Sequence, residues 1–406
     1  MSLLKDTSLE LESINCKNTI DFDFLLGEYN HYLFEDYIPF WKKYGSDNEF
    51  GGFMCSMEHD GNNINNNKYL WYQGRGLWVH SLLYNNFGDE WNLIIAKKTK
   101  DFLLKYGRDK NGYWVQSLDR YGNIIQPYDQ SGISGLFVAE GLQEYASITN
   151  DSECMDLAIE SIKQSFQLYD NPKRYVNQWY VPKSFPGMRI QGFEMVTLIL
   201  LTQLSQKISL ESFDSRLEKT IDVLINKFWN SEFNLNNEIL NYNYELLNDE
   251  NIDFIYLGHA IETLWMILYY AILNKNDTLF SIAAKRFKRH IEVSWDAVYG
   301  GFFRAMSVNS SYTYDKVLWL QEEVLIGLMI LIEHTNYTWP IQWFIKTYEY
   351  VINNYPLKKH GYSLWKIGGD RKATFDPVSI RKENYHHPRH LIYNILSIQR
   401  ILSKNI

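Results

Sequence analysis

Cysteine is scarce in this chain. Cys16, Cys55 and Cys154 are the only three in 406 residues, and an odd, widely spaced set provides neither a disulfide framework nor a metal knuckle, which fits a reducing compartment. Proline is rare too, and with nine residues and no low-complexity tract the sequence offers no obvious domain linker. No apolar run approaches the roughly 18 residues that would suggest a membrane span. The opening Met1-Ser2-Leu3-Leu4-Lys5-Asp6 turns acidic too soon for a signal peptide, so a cytoplasmic chain that avoids membranes is expected. Lys and Arg gather into no long basic block, and the net charge of -8 argues against nucleic acid or anionic lipid as partner. Walker-type G-x-x-x-x-G-K-[ST], dinucleotide G-x-G-x-x-G and G-x-S-x-G segments are all missing, so phosphoryl transfer, nicotinamide redox and serine hydrolase chemistry lose their usual signals. What remains is a soluble protein with a small uncharged or anionic partner.

Aromatic residues, in contrast, are plentiful. With 46% hydrophobic and 16% aromatic content the chain can bury a large core, and its length alone would suggest two or three domains. A recurring turn argues against that division. An acidic residue or Asn followed by Gly and an aromatic appears at Glu49-Phe50-Gly51-Gly52-Phe53, Asp109-Lys110-Asn111-Gly112-Tyr113, Asp296 to Phe302 and Lys359-His360-Gly361-Tyr362, with degenerate copies near Asp170-Asn171-Pro172 and Asn230-Ser231-Glu232-Phe233. These six marks are roughly 60 to 70 residues apart, the signature of a repeated architecture.

Between the marks the pattern is helical. Stretches 24–43, 91–106, 154–169 and 213–228 carry one apolar stripe, as outer helices do, whereas 196–204, 264–273 and 324–332 are apolar nearly all round, as inner helices are. One helix of each kind per repeat, six times over, predicts an all-α chain that closes into an (α/α)6 barrel over residues 1–406, with short β-hairpins at the Gly-aromatic turns. Periodicity by itself leaves an open helical solenoid or two helical bundles as alternatives.

Four separated segments concentrate the chemistry. In Trp71-Tyr72-Gln73-Gly74-Arg75 a lone cation sits among aromatics, and it needs either a core carboxylate or a developing oxyanion as partner. Gly258-His259-Ala260-Ile261-Glu262, followed by Trp265, places an imidazole and a carboxylate three residues apart on one helical face. There Glu262 could hold the His259 tautomer and raise its basicity, or the two could be a satisfied core pair. In Trp319-Leu320-Gln321-Glu322-Glu323 two adjacent carboxylates enter an apolar helix, and hardly both can be solvated if that helix lines the centre. Tyr385-His386-His387-Pro388-Arg389 opens the densest histidine cluster. His386 and His390 have the i, i+4 spacing of a helical zinc pair, but His387 stands where a zincin carries Glu, so one cavity-facing histidine is expected and no metal. A base, a second base, a cation and carboxylates form a working set for proton transfer beside a carbonyl. Aromatic rings lining a helical barrel would suit the C–H faces of a sugar.

In this order and at these intervals, W-Y-Q-G-R, G-H-A-I-E-T-L-W, D-K-V-L-W-L-Q-E-E and Y-H-H-P-R resemble the N-acylglucosamine 2-epimerase family, which includes cellobiose 2-epimerases and isomerases of mannose and sulfoquinovose. The likeness runs from about Tyr29 to the C-terminus. It implies an (α/α)6 barrel with catalytic roles for His259, His386, Arg75, Glu262 and Glu323, leaving Glu322 a bystander. It also implies that Trp71, Trp265, Trp319, Tyr385 and Arg389 touch a sugar substrate. The implied reaction passes a C2 proton between two imidazoles on opposite faces of a ring-opened sugar while Arg75 holds the enediolate. No cofactor or metal is required, ATP can act only as an effector, and a homodimer is the family expectation. The disaccharide epimerases and the isomerases tend to carry a further histidine on the inner helix of the third repeat, but residues 188–204 have Arg189, Gln191 and Glu194 and no His. That favours an N-acyl-D-glucosamine and N-acyl-D-mannosamine pair over a mannose-type isomerase or a cellobiose-type epimerase. Asn384, standing where some N-acylglucosamine enzymes have Cys, and Gly192-Phe193-Glu194 depart from that branch. A glycoside hydrolase using Glu262 and Glu323, or a non-catalytic sugar-binding protein, are the readings from other classes.

Overall fold

The computed structural model describes residues 19–404, apart from 59, 174, 176–183, 210, 249–252, 309–310, 363–365 and 368–380. Among these, helices alternate between an outer and an inner ring. The outer ring begins with α1, Phe22–Asn30, which runs on through π-type turns at His31–Tyr37 and Trp41–Gly45. The inner ring begins with α2, Leu70–Phe87, and the pattern repeats as α3 (Glu90–Tyr106), α4 (Ile133–Thr149), α5 (Ser152–Tyr169) and α6 (Gln191–Ser205). It continues with α7 (Glu211–Asp222), α8 (Leu257–Leu273), α9 (Asp277–Ser294), α10 (Leu318–His334), α11 (Trp339–Asn354) and α12 (His386–Lys404). Each even-numbered helix packs on the next, and α12 returns to α2, so the inner ring is closed. The chain is therefore an (α/α)6 barrel, and the open solenoid is excluded.

The two ends of the barrel are built differently. Inner helices pass to outer ones through tight turns, such as the left-handed Gly88 (φ 75°) after α2 and Asn150 (φ 55°) after α4. Outer helices return through the Gly-aromatic turns and antiparallel hairpins, including 115–118 with 124–128 and 305–307 with 311–313. Every inner helix thus starts at the same end. Four of the outer helices begin under side-chain caps, with Asp21, Asp89, Asp151 and Asn276 each accepting a first-turn amide. By contrast α2, α4, α6, α8 and α10 start without a side-chain cap. Their positive dipole ends converge on one end of the barrel.

The repeats agree beyond their turns. Buried Lys68 reaches Asp47 Oδ2 at 2.9 Å and Gly51 O at 2.7 Å, and buried Lys316 reaches Asp296 Oδ2 at 2.8 Å and the Gly300 carbonyl. Gln73 clamps the backbone of Phe53 through both ends of its amide, at 2.6 and 3.0 Å, as Gln321 clamps Phe302 at 2.9 and 3.1 Å. The W-Y-Q-G-R and W-L-Q-E-E segments are therefore one motif used twice. Its Gln fastens the turn, which puts Trp71 and Trp319 at equivalent places and Arg75 and Glu323 one turn deeper. Between α2 and α4 the approach is close: a Cβ on Gly74 would lie 2.4 Å from Phe137 O, and one on Gly141 2.6 Å from Gly74 O.

The inner helices begin several residues earlier than their apolar pattern does, because their first turns point into the barrel mouth and carry polar side chains. No described helix is long and apolar enough to cross a membrane.

Lys316→Met should lower unfolding stability by about 3–5 kcal/mol, the cost of leaving a buried carboxylate without its ion partner. Urea denaturation followed by circular dichroism measures this, and a loss under about 1 kcal/mol would mean that the turn holds without the pair.

Candidate active site

The first turns of the inner helices enclose a cavity of about 1000 Å³, including its open mouth. Trp71, Tyr72 and Arg75 come from α2, Ile133 and Phe137 from α4, Gly192, Met195 and Val196 from α6, His259 and Glu262 from α8, and Trp319 from α10. His386 enters at the first residue of α12, with Asn384 and Glu383 two and three residues before it. Glu383 supplies the cap for α12, accepting from Tyr385 N at 2.9 Å and from His386 N at 2.8 Å, and so fixes where His386 enters the cavity.

His259 and His386 line this same space, and both touch Trp319, with ring centroids 6.1 and 5.1 Å away. Each is held through Nδ1 by a carboxylate. His386 Nδ1 is 2.8 Å from Glu323 Oε1, and His259 Nδ1 is 2.9 Å from Glu238 Oε1. A neutral imidazole that donates Nδ1–H to its carboxylate keeps Nε2 as a base.

The partner of His259 departs from expectation. Glu262 shares its helix face but does not hydrogen-bond to it, because its carboxylate is drawn to the buried Arg389 guanidinium of α12. Glu238 lies between the strands 235–236 and 239–240, 21 residues upstream of His259. No motif announces such a loop carboxylate. The one available signal was a lone acidic residue in the otherwise uncharged stretch from Phe233 to Tyr244 of the third-to-fourth repeat connection.

Glu323 is not on the cavity wall. It stands behind His386, where Oε1 also accepts from Arg389 Nη2 at 2.6 Å and Oε2 accepts from Trp265 Nε1 at 2.7 Å. Three of the expected sugar contacts belong to this inner layer: Trp265 and Arg389 hold carboxylates, and the Tyr385 hydroxyl donates to Glu140 at 3.0 Å while accepting from Arg389 Nη1 at 3.2 Å. None of the three lines the cavity, because buried Glu262, Glu323 and Glu140 claim their polar groups. Trp71 and Trp319 do line it. Nor is Glu322 solvated: it is buried and accepts from His387 Nδ1 at 2.5 Å.

Arg75 is not tied to a core carboxylate. No described carboxylate hydrogen-bonds to it, and its buried Nε is without an acceptor. Its guanidinium is instead packed by the rings of Phe137, Tyr385 and Trp71, at 4.1, 4.6 and 5.1 Å from their centroids. Burial lowers its pKa, opposed by the charges of Tyr385, Glu383 and Glu262, yet a guanidinium stays charged. A cation held by ring faces at a cavity wall is placed to receive an anionic oxygen.

The histidines are electrostatically unequal. Burial pushes His386 down to about 3 against the pull of Glu383 and Glu262. Burial also opposes charge on His259, but the charge and hydrogen bond of Glu238, with Glu262 behind, carry it above the ordinary imidazole value. Buried Glu140 and Glu322 are each raised to about 7.

The histidine cluster divides as its spacing did not foretell. His386 faces the cavity, while His390 turns away to meet Tyr29 Oη at 3.0 Å, so the i, i+4 pair never assembles. Among the described residues two groups could offer metal ligands, Glu322 with His387 and His390, and Glu262 with Glu323 and His386. In the second, Arg389 already supplies a cation between the carboxylates.

The mouth of the barrel brings together two carboxylate-held imidazoles and a ring-packed arginine, groups that proton transfer at a carbon requires. The model of the N-acylglucosamine 2-epimerase (GlcNAc 2-epimerase) family matches residues 51–388, and the chain belongs to that family. It is 24% identical to the cellobiose 2-epimerase of Dictyoglomus turgidum, over 91% of this chain and 98% of that protein, and 23% identical to the N-acylglucosamine 2-epimerase of Bos taurus, over 90% of each. The solved cellobiose 2-epimerase of Bacillus thermoamylovorans superposes with a TM-score of 0.79 at 21% identity, covering 92% of this chain and 99% of that one. The protein is an enzyme of the isomerase class.

Glu323→Gln should cut kcat by at least about tenfold with KM nearly unchanged, since it weakens the hold on His386 without touching the cavity wall. Steady-state kinetics on the best substrate decide it, and near-parental kcat would remove Glu323 from the mechanism.

Proposed function

We propose that the chain is a sugar 2-epimerase that interconverts N-acyl-D-glucosamine and N-acyl-D-mannosamine by two-base proton transfer at C2 of the ring-opened sugar. The observation that carries the reading is the pair of carboxylate-held imidazoles lining one cavity with Arg75, whose buried Nε has no acceptor.

In one direction Nε2 of His386 takes the C2 proton, and the C–H electron pair moves into C1–C2 as the C1 carbonyl becomes an oxyanion. Arg75 meets that charge. A carbon acid beside an aldehyde is far weaker than imidazolium, so the step depends on the oxyanion being stabilised as it forms. His259 then delivers a proton to the other face of C2, the carbonyl re-forms and the configuration is inverted. In the reverse direction the two exchange roles. Trp71 and Trp319 offer flat faces to the sugar. The uncapped ends of the inner helices add a positive potential where the oxyanion develops.

The acyl sugar is favoured by the wall that α6 contributes. Gly192, Met195 and Val196, with Ile190 before them, make an apolar surface beside His259, and a Cβ on Gly192 would lie 3.0 Å from His259 Cε1. An acyl group attached at C2 must lie close to the base that works at C2, and this is apolar room in that place. A cellobiose-type 2-epimerase is the second reading, supported by the match across 98% of the Dictyoglomus turgidum protein. A glycoside hydrolase is disfavoured, because Glu323 has both oxygens committed and Glu262 is tied to Arg389.

Incubation with N-acetylglucosamine, N-acetylmannosamine, mannose, glucose and cellobiose in deuterium oxide, followed by NMR, tests the reading. The expected product of N-acetylglucosamine is N-acetylmannosamine bearing deuterium at C2. A ketose would move the assignment to an isomerase, an epimerised disaccharide to the second reading, and cleavage to a hydrolase.

No cofactor is needed for this chemistry, and activity should survive exhaustive chelation without added nicotinamide. Loss in chelator with recovery only on a divalent ion would point to the histidine–glutamate groups as ligands. Arg75→Ala should reduce kcat by about 10²–10³-fold, the cost of removing an oxyanion donor. Near-parental turnover would assign the oxyanion to another group.

A further inference from the structure

The two His–Glu pairs look alike in composition but differ in what balances the carboxylate. Glu323 is shared: it serves His386, takes a charged hydrogen bond from Arg389 and accepts from Trp265. Its negative charge is largely spent before it reaches the imidazole. Glu238 is buried, with Oε1 on His259 Nδ1 at 2.9 Å and Oε2 without any hydrogen-bond partner. Among the described residues no Lys or Arg pairs with it. Its backbone is pinned, with Glu238 O accepting from Gln191 N at 2.9 Å and Glu238 N donating to Phe254 O at 3.3 Å, so the carboxylate cannot swing away to water. A buried carboxylate with one free oxygen and one imidazole is stabilised most by a cation on that imidazole.

We infer that Glu238 is a positioning residue that makes His259 the proton-holding member of the pair, so that His386 begins turnover as the neutral base. This rests on the two-base reading above. Two-base inversion needs one imidazole charged and the other neutral before substrate binds, and two equivalent pairs would leave the proton undecided. The other charges acting on His259 are Glu262 on its own helix and Arg75 from α2. Tyr256, with its ring centroid 4.2 Å away, packs against it. Arg304, Arg381, Lys382, Glu383 and His386 share the cavity lining. Glu262 and Arg75 oppose one another, which leaves Glu238 as the group that sets the bias. The raised pKa of His259 and the lowered one of His386 agree in direction.

The sign of the pH effect follows. His259 is charged below its raised pKa and loses the proton as pH climbs through it, so in the direction in which His386 is the base and His259 the acid this residue sets the alkaline limb of kcat/KM. Removing the Glu238 charge lowers that pKa and moves the limb toward acid. In Glu238→Gln, which keeps a hydrogen-bonding amide, the alkaline limb should move down by about one pH unit, with kcat/KM about tenfold lower on that side. KM at low pH should be nearly unchanged, and Glu238→Asp should restore part of the limb. A structural role alone would lower activity at every pH and leave the limbs in place, and that result would overturn the inference.

NMR of histidine-labelled wild-type protein gives a readout independent of turnover and of whether the variant folds, with His259→Gln and His386→Gln used for assignment. His259 is expected to titrate at higher pH than His386, and the reverse order would overturn the inference. Inactivity of the wild type on all five sugars would fail the proposed reaction instead, while the titration order would still decide which imidazole holds the proton.

Discussion

The His386 side of the cavity depends on one buried carboxylate. Glu323 of α10 joins three inner helices: it accepts from Trp265 of α8, and from Arg389 and His386 of α12. Burying a carboxylate is costly, and the cost is offset only when each oxygen is bonded and a cation stands close by. Arg389 is that cation, and it serves Glu262 as well. The orientation of His386, the place of α12 against α8 and α10, and the withdrawal of Glu262 from His259 are consequences of the same cluster.

Around it the barrel separates support from chemistry. Turns fastened by Lys68 with Asp47 and by Lys316 with Asp296 bring the inner helices to the mouth in register. The helices' first residues then present aromatic rings, a cation and imidazoles to one space. A second layer of Trp265, Tyr385, Arg389 and Glu140 never reaches the cavity, yet it fixes what does. Within one family, a wall change as small as a side chain at Gly192 would alter the room beside His259 without disturbing that layer.

Much of this was legible in the chain. Six turn marks and two kinds of helical stripe pointed to the barrel, because each repeat must bury the same faces in the same order. His259, His386, Arg75 and Trp319 were identifiable as cavity residues, since polar groups at the head of an apolar helix need a reason to be there. The inner helices were read too short for the same reason: Gln191, Glu262 and Glu323 break the apolar pattern that marks a helix.

By itself the sequence determined the repeat, the helical stripes, the family likeness and the chemical types present at the site, all of which are carried by local patterns of a few residues. Only the tertiary structure decided which carboxylate serves which histidine. Glu238 and Glu323 are 21 and 63 residues from their partners, and Glu262, three residues from His259, goes to an arginine 127 residues away. Spacing along a helix states which side chains can meet. In a buried site the pairing is settled by which charges lack water and which cation is near enough to replace it, and that is a property of the closed ring.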